Sequence, residues 1–319
     1  MKIGIPVTDF SWPVPTDQIG PTVSRIARTA DEAGFDSLWT MDHFFQIPIS
    51  GLPPESPMPE AYATLAFMAG LTRRIQLGTL VTSVSYRHPG VLVKTVTSLD
   101  VLSGGRVVFG VGAGAPFNAL PPGRDPRDTE AYGLGIPFPS LADRFTRLEE
   151  VLQIAHQMWR GDESPFEGRE YQLPRPLNSP NALQKPHPPV MVGGGGEKKT
   201  LRFVARYGDM CNLFDIPGAA PEQGVAHKLR VLREHCEAEG RDYAEIEKTV
   251  TSFFQLAPDR EAGLRNLVDH LRELAQAGVD HAIVSPRGPY DDATLEALAS
   301  VLPEIHAIET RSGSGAAAR

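Results

Sequence analysis

Arg106-Val107-Val108-Phe109-Gly110-Val111-Gly112 runs almost without polar interruption, and its reading decides how the chain folds. A strand with one wet face alternates apolar and polar residues. A strand covered on both faces does not, and belongs in a parallel sheet clothed by helices. Outward from it, residues 89–102 and 140–159 carry helical period. The alternation recurs along the chain, with strands expected at 2–7, 37–42, 75–82, 106–112, 189–193, 209–214, 248–256 and 281–285. Helices are expected at 18–33, 59–71, 89–102, 140–159, 198–207, 221–239, 260–277 and 291–308. Repeated strand-then-helix units imply parallel pairing with right-handed crossovers, and eight of them imply closure into an α/β (β/α)8 TIM barrel. Ala33-Gly34-Phe35-Asp36 and Ala277-Gly278-Val279-Asp280 repeat one device, a helix stopped by a left-handed glycine ahead of a strand.

Residues 1–311 are read as one barrel domain and the Gly/Ala/Ser tail 312–319 as disordered. Two proline-rich stretches, 115–139 and 160–188, break the alternation and are read as insertions on the barrel rim. Long loops in a compact domain are often lids, which is the expectation for 115–139. A short hairpin is expected around Phe166-Glu167-Gly168-Arg169-Glu170-Tyr171.

Composition narrows the function. The 31 basic and 39 acidic residues leave a net charge of −8 with no basic stretch, which argues against nucleic acid. No apolar run is long enough to span a bilayer. Cys211 and Cys236 have no metal-ligand spacing, and a reduced, cytoplasmic protein is the simplest expectation. The 9 histidines show no paired spacing, so no metal is expected and a metal-dependent hydrolase is set aside.

The residues that could carry chemistry gather at strand ends, where barrel enzymes place their sites. Asp42-His43 follows the second strand; His43 is the candidate acid/base, with Asp42 holding its tautomer or binding the cofactor edge. In the third strand, Thr79-Leu80-Val81-Thr82 follows a strand glycine, Gly78, which suggests a bulge or close backbone approach. Gly112-Ala113-Gly114 ends the fourth strand and would let backbone press on a flat ligand. Gly193-Gly194-Gly195-Gly196 links the fifth strand to a helix. It fits neither common nucleotide pattern, but free N–H groups at a helix start suit an anion. Asn212 offers an amide to a heterocycle edge, and Arg287 a guanidinium to a phosphate.

These pieces resemble a known family. Gly34-Phe35-Asp36-Ser37-Leu38-Trp39, Asp42-His43, Leu77-Gly78-Thr79, Arg87-His88-Pro89, Leu99-Asp100-Val101-Leu102-Ser103-Gly104-Gly105-Arg106 and Pro188-Pro189-Val190-Met191-Val192-Gly193 stand in the order of the luciferase-like monooxygenase superfamily. Within it the chain most resembles the F420-dependent oxidoreductases. The resemblance implies a planar ring over the C-terminal strand ends, with a non-prolyl cis peptide near Leu80-Val81 behind it. It also implies Asp42 and His43 on the cofactor and substrate sides, and Gly194–Gly196 on the phosphate. It brings coenzyme F420 as cofactor, with FMN the alternative, a small-molecule substrate, and a possible homodimer. One departure is Ala115, where some members carry a proton-donating glutamate; His43 supplies the proton instead, or Glu130 folds back, or the reaction needs no enzymic acid. An FMN-dependent monooxygenase and a non-catalytic flavin-binding protein remain as rival readings.

Overall fold

The alternation of strands and helices becomes a closed parallel barrel in the computed structural model, which describes residues 1–47, 50–114, 125–216, 218–256 and 259–310. In chain order the elements are β1 (Lys2–Val7), α1 (Ile19–Ala33), β2 (Ser37–Thr40), α2 (Ala61–Leu71), β3 (Gln76–Thr79), β4 (Thr82–Ser83), α3 (Pro89–Ser103) and β5 (Val107–Gly112). They continue with α4 (Glu130–Gly133), α5 (Leu141–Trp159), β6 (Phe166–Glu167), β7 (Gln172–Leu173), β8 (Val190–Gly193) and α6 (Thr200–Tyr207). The last are β9 (Met210–Asp215), α7 (Val225–Glu239), β10 (Glu247–Phe254), α8 (Arg260–Ala277), β11 (His281–Pro286) and α9 (Asp292–His306). β1 pairs with both β2 and β11, and β5 receives β3 at Leu77–Val107 and β4 at Thr82–Val111, so the sheet closes on itself. β3 and β4 are two halves of the expected third strand, parted at Leu80-Val81, whose peptide is cis.

Alternation along each strand sorts the two sides of the sheet. Val107, Phe109 and Val111 face outward into the large core under the helices, together with Val190, Val192, Cys211, Leu213 and Val250. The barrel interior holds a smaller cluster of Trp39, Val108, Met191, Met210 and Ile283, with Leu80 and Val81 packed against it. The glycine expected to bring backbone close does so: a Cβ at Gly78 would collide with the Trp39 indole, which fills the barrel floor. That indole is fixed by a polar string running in from the N-terminal face. Lys2 donates to Glu247 at 2.7 Å, Glu247 meets His281 Nδ1 at 2.9 Å, His281 Nε2 lies 2.8 Å from Ser37 Oγ, and Trp39 Nε1 donates to Ser37 Oγ at 2.6 Å. One assignment satisfies every member: Nδ1–H donates to Glu247, Ser37 donates to Nε2, and Ser37 accepts from Trp39.

The helix-stop device has a structural purpose. Gly34 (φ 95°) and Gly278 (φ 106°) are left-handed caps, and each following aspartate takes a backbone N–H of the neighbouring strand. Asp36 accepts from Ile3 at 2.8 Å and Asp280 from Lys248 at 3.0 Å; Asp209, ahead of β9, accepts from Val190 at 2.8 Å. The Leu99–Arg106 block is similarly explained. Arg106 bonds the carbonyls of Ala69, Thr72, Ile75 and Ser103, tying α2 to α3, and Asp100 accepts from the backbone of Leu183 and Gln184.

Asp100's partners show where the second insertion runs. The 160–188 stretch contains the hairpin, β6 against β7, and the Tyr171 hydroxyl donates to the Val84 carbonyl at 3.4 Å, just past β4. It is a strap on the barrel flank between α3 and α5. Glu150 of α5 accepts from the backbone of Arg169, Glu170 and Tyr171, while Thr97 and Lys94 of α3 hold Asn178 and Ser179. Of the other insertion, Ala115 and the rest of 115–124 lie outside the described residues. Helix starts differ by a few residues: α6 begins at Thr200 rather than 198, because 197–199 form a turn, and α7 begins at Val225 after a short 3-10 turn at Pro221–Gln223. Both cysteines are buried and unpaired, and burial pushes the Cys211 thiol up to about 12. Among the described residues no helix is long and apolar enough to cross a membrane.

Candidate functional site

The C-terminal end of the barrel gathers three features: an acid/base pair, a flat wall, and a glycine corner. His43 leaves the end of β2 with 14% of its side chain exposed. Its Nδ1 lies 2.6 Å from Glu130 Oε1, across 87 residues of sequence. Glu130, 5% exposed at the start of α4, also accepts from the backbone N–H of Phe44 at 2.6 Å and from the Tyr86 hydroxyl. Burial pushes the Glu130 carboxyl up, but the bonds from His43, Tyr86 and Phe44 outweigh it and hold it below the usual carboxylate range. A carboxylate on Nδ1 keeps the proton there, so Nε2 is the nitrogen that can exchange a proton with another molecule. Among the described residues Nε2 has no hydrogen-bond partner.

Asp42 does not orient His43. Its carboxylate turns the other way and takes both Arg87 nitrogens, at 2.5 and 2.9 Å. Burial lifts the Asp42 carboxyl above its ordinary range, against the pull of Arg87. Arg87 also pairs with Glu60 and lies over the rings of Tyr62 and Phe44, 4.8 and 5.7 Å from their centroids. Asp42, 1% exposed, thus anchors the wall from behind. Thr79 and Thr82 are behind it too, because their hydroxyls are satisfied internally. Thr79 donates to the Gly110 carbonyl at 2.8 Å and accepts from Thr82 at 3.0 Å, and Thr82 lies 2.8 Å from the Tyr62 hydroxyl.

The wall itself is Leu80 and Val81 with the glycines beside them. The Val81 isopropyl lies between Gly112 and Gly193, and a Cβ on either would press on it at about 3 Å. The carbonyls of Ala113 and Gly114 do not face a ligand: Arg144 of α5 binds them at 3.0 and 2.8 Å and fixes this turn. Asn212 is likewise engaged. Its amide nitrogen donates to Thr249 at 2.9 Å and its oxygen accepts from Thr251 at 3.1 Å, which fixes the amide across the strands inside the barrel.

The wall runs into the glycine corner. Gly194 (φ 112°) takes a left-handed conformation, and its N–H is bound to the Asn212 carbonyl at 3.0 Å. Gly195 and Gly196 lie ahead of α6. Sequence reading missed Lys228 of α7, whose side chain lies against Gly195 and whose ammonium pairs with Glu197 at 2.6 Å. His227 is 3.1 Å from the same carboxylate, and Lys228 first, then His227, hold Glu197 below its usual range. No sequence spacing marks Lys228; only the fold brings α7 beside α6. Arg287 stands exposed on the rim.

The chain matches the luciferase-like monooxygenase family over residues 1–315. The chain belongs to that family. An F420-dependent glucose-6-phosphate dehydrogenase of Nakamurella multipartita is 28% identical over 265 residues, covering 82% of this chain and 71% of that one. Among solved structures, an F420-dependent secondary alcohol dehydrogenase in complex with an F420–acetone adduct superposes with a TM-score of 0.77, at 17% identity, over 95% of this chain and 98% of that one. A monooxygenase from Streptomyces bottropensis gives 0.73 at 21% identity, over 96% and 100% of the two chains. At these identities the structural likenesses speak for the luciferase-like barrel alone. The cis bond at Leu80-Val81 falls where the family resemblance places it.

Proposed function

We propose that this luciferase-like protein is an oxidoreductase that passes a hydride between coenzyme F420 and a small organic substrate. The observation that carries the proposal is the continuity of the Val81 wall, kept flat by Gly112 and Gly193, with the corner at Gly194–Gly196 and Lys228. A planar ring with an anionic tail fits that shape: side chains on those glycines would fill the cradle, and Lys228, paired with Glu197, stands beside Gly195 where a phosphate would end. F420 rather than FMN is supported by the names of the relatives, which are F420-dependent over most of this chain's length.

When bound, F420 supplies the two-electron hydride chemistry. The protein supplies position and protons. Leu80 and Val81 back one face of the ring. Gly195, Gly196 and Lys228 hold the phosphate. His43, its Nδ1 anchored on Glu130, gives or takes the substrate's proton through Nε2. Glu130 is a positioning residue that anchors the imidazole through Nδ1.

Titration of the protein with F420 and with FMN, read by cofactor fluorescence, tests the proposal. The expected result is saturable F420 binding at least tenfold tighter than FMN binding. Affinity for neither cofactor removes the proposal, and a preference for FMN replaces it with a flavin enzyme.

A further inference from the structure

The substrate side of the same mouth is walled by carbon. Along β9, Cys211 and Leu213 point out to the helices, whereas Met210 and Asn212 point into the barrel. By that alternation Phe214 points inward. Along β10, Val250 and Phe254 point out while Thr249 and Thr251 meet Asn212 inside, so Phe253 points inward as well. These two phenylalanines are the next inward residues above Asn212 and Thr251, on adjacent strands, yet 52% and 43% of their surface is exposed. Their neighbour Ile216 is 59% exposed. Interior-facing aromatic rings left this open at a barrel mouth form a contact surface awaiting an apolar partner. On the His43 side, Phe44 and Tyr86 pack with centroids 5.1 Å apart.

Three cations around the mouth are already committed, while Arg287, one residue past β11 beside the end of β10, stands exposed with no partner among the described residues. Arg87 is neutralised by Asp42 and Glu60, Arg144 binds two carbonyls beneath the Phe138 ring, and Lys228 sits at the glycine corner with Glu197. The inward positions at the ends of β9 and β10 carry no charge. A charged group set directly against the Phe214 and Phe253 rings would lose its hydration with no charge on β9 or β10 to replace it, so the part of the substrate that meets these rings is apolar.

We propose that Phe214 and Phe253 form the substrate wall, and that the substrate presents to it a ring-sized apolar body, with one polar end directed at His43. The substrate class rests on the reading of the site as an F420 oxidoreductase, but the wall is tested by binding alone. The experiment compares 2-naphthol, a neutral aromatic probe, with glucose 6-phosphate by calorimetry on the full chain with F420 present. It uses the unaltered protein, the Phe214→Ser/Phe253→Ser pair, and the Phe214→Leu/Phe253→Leu pair. The expected result is naphthol binding that weakens at least tenfold in the serine pair and stays within about threefold in the leucine pair, with glucose 6-phosphate weaker than naphthol throughout. Each half-exposed ring can be removed without opening the core, and melting temperatures within a few degrees establish that both variants are folded. Absence of naphthol binding, naphthol binding indifferent to the serine pair, or tighter binding of glucose 6-phosphate overturns the proposal. F420 titration of the unaltered protein is read separately. If it fails while the naphthol result holds, the cofactor assignment falls and the apolar wall stands.

Discussion

His43 and Glu130 meet although they stand 87 positions apart in the chain, and the pair defines what the site can do with a proton. Replacing His43 with alanine removes the acid/base group and is expected to lower kcat about 10²- to 10⁴-fold, measured as F420 turnover with a responsive substrate. Glu130→Gln keeps the shape but loses the charge. It is expected to lower kcat about tenfold and to displace the pH profile, with F420 affinity little changed; an unaltered pH profile would show that Glu130 only ties down α4. Lys228→Ala is expected to weaken F420 binding about tenfold or more, since a charge-assisted contact contributes about 1.5–3 kcal/mol, and the loss should shrink as salt rises. At this scale the sequence reveals residue types beside strand ends, and His43 was legible for that reason. It misleads about partners. Asp42 adjoins His43 in the chain, but successive residues at a strand end point apart, so Asp42 reaches Arg87 instead. Lys228 carries no signal because nothing in the period of α7 tells which neighbour its first turn will meet.

Strand and helix elements were the most legible, because burial on both faces leaves an unbroken apolar run that few other structures tolerate. The third barrel strand was the exception. Its apolar run hides the break at Leu80-Val81, which only the family resemblance indicated. The flank strap was invisible in outline, since prolines say where regular structure fails but not which helices the chain then crosses. Gly78 links element to floor. Gly78→Ala is expected to cost about 1–3 kcal/mol by crowding the Trp39 indole. The double variant with Trp39→Phe should recover part of that loss in denaturant melts, and strict additivity would show that the two do not share space. The strand-capping aspartates make a second element-scale test. Asp280→Ala removes the carboxylate 3.0 Å from the Lys248 ammonium, which is 2% exposed, and is expected to destabilise by about 3–5 kcal/mol in the same measurement.

Across the whole molecule, one closed barrel carries stability at its N-terminal face and the candidate chemistry at the other. The string Lys2–Glu247–His281–Ser37–Trp39 couples that lower face to the floor of the site. Burial opposes ionisation of Glu247, but His281 and then Lys2 prevail and bring its carboxyl to about 2, from 4.5. A depressed carboxyl contributes stability that is fully present above its unfolded value and lost as the pH falls toward its folded one. The loss should therefore develop between about pH 4.5 and 2, on the order of 3 kcal/mol. Acid unfolding followed by circular dichroism should show that component, and Glu247→Gln should be less stable at neutral pH with a shallower dependence across the same window. Glu130 belongs to neither face of this scaffold. It rides on α4, in a segment that contributes no barrel strand, and reaches back to His43. The anchor of His43 Nδ1 is therefore mounted on an exchangeable part: replacing α4 would change that partner while the barrel strands stayed as they are.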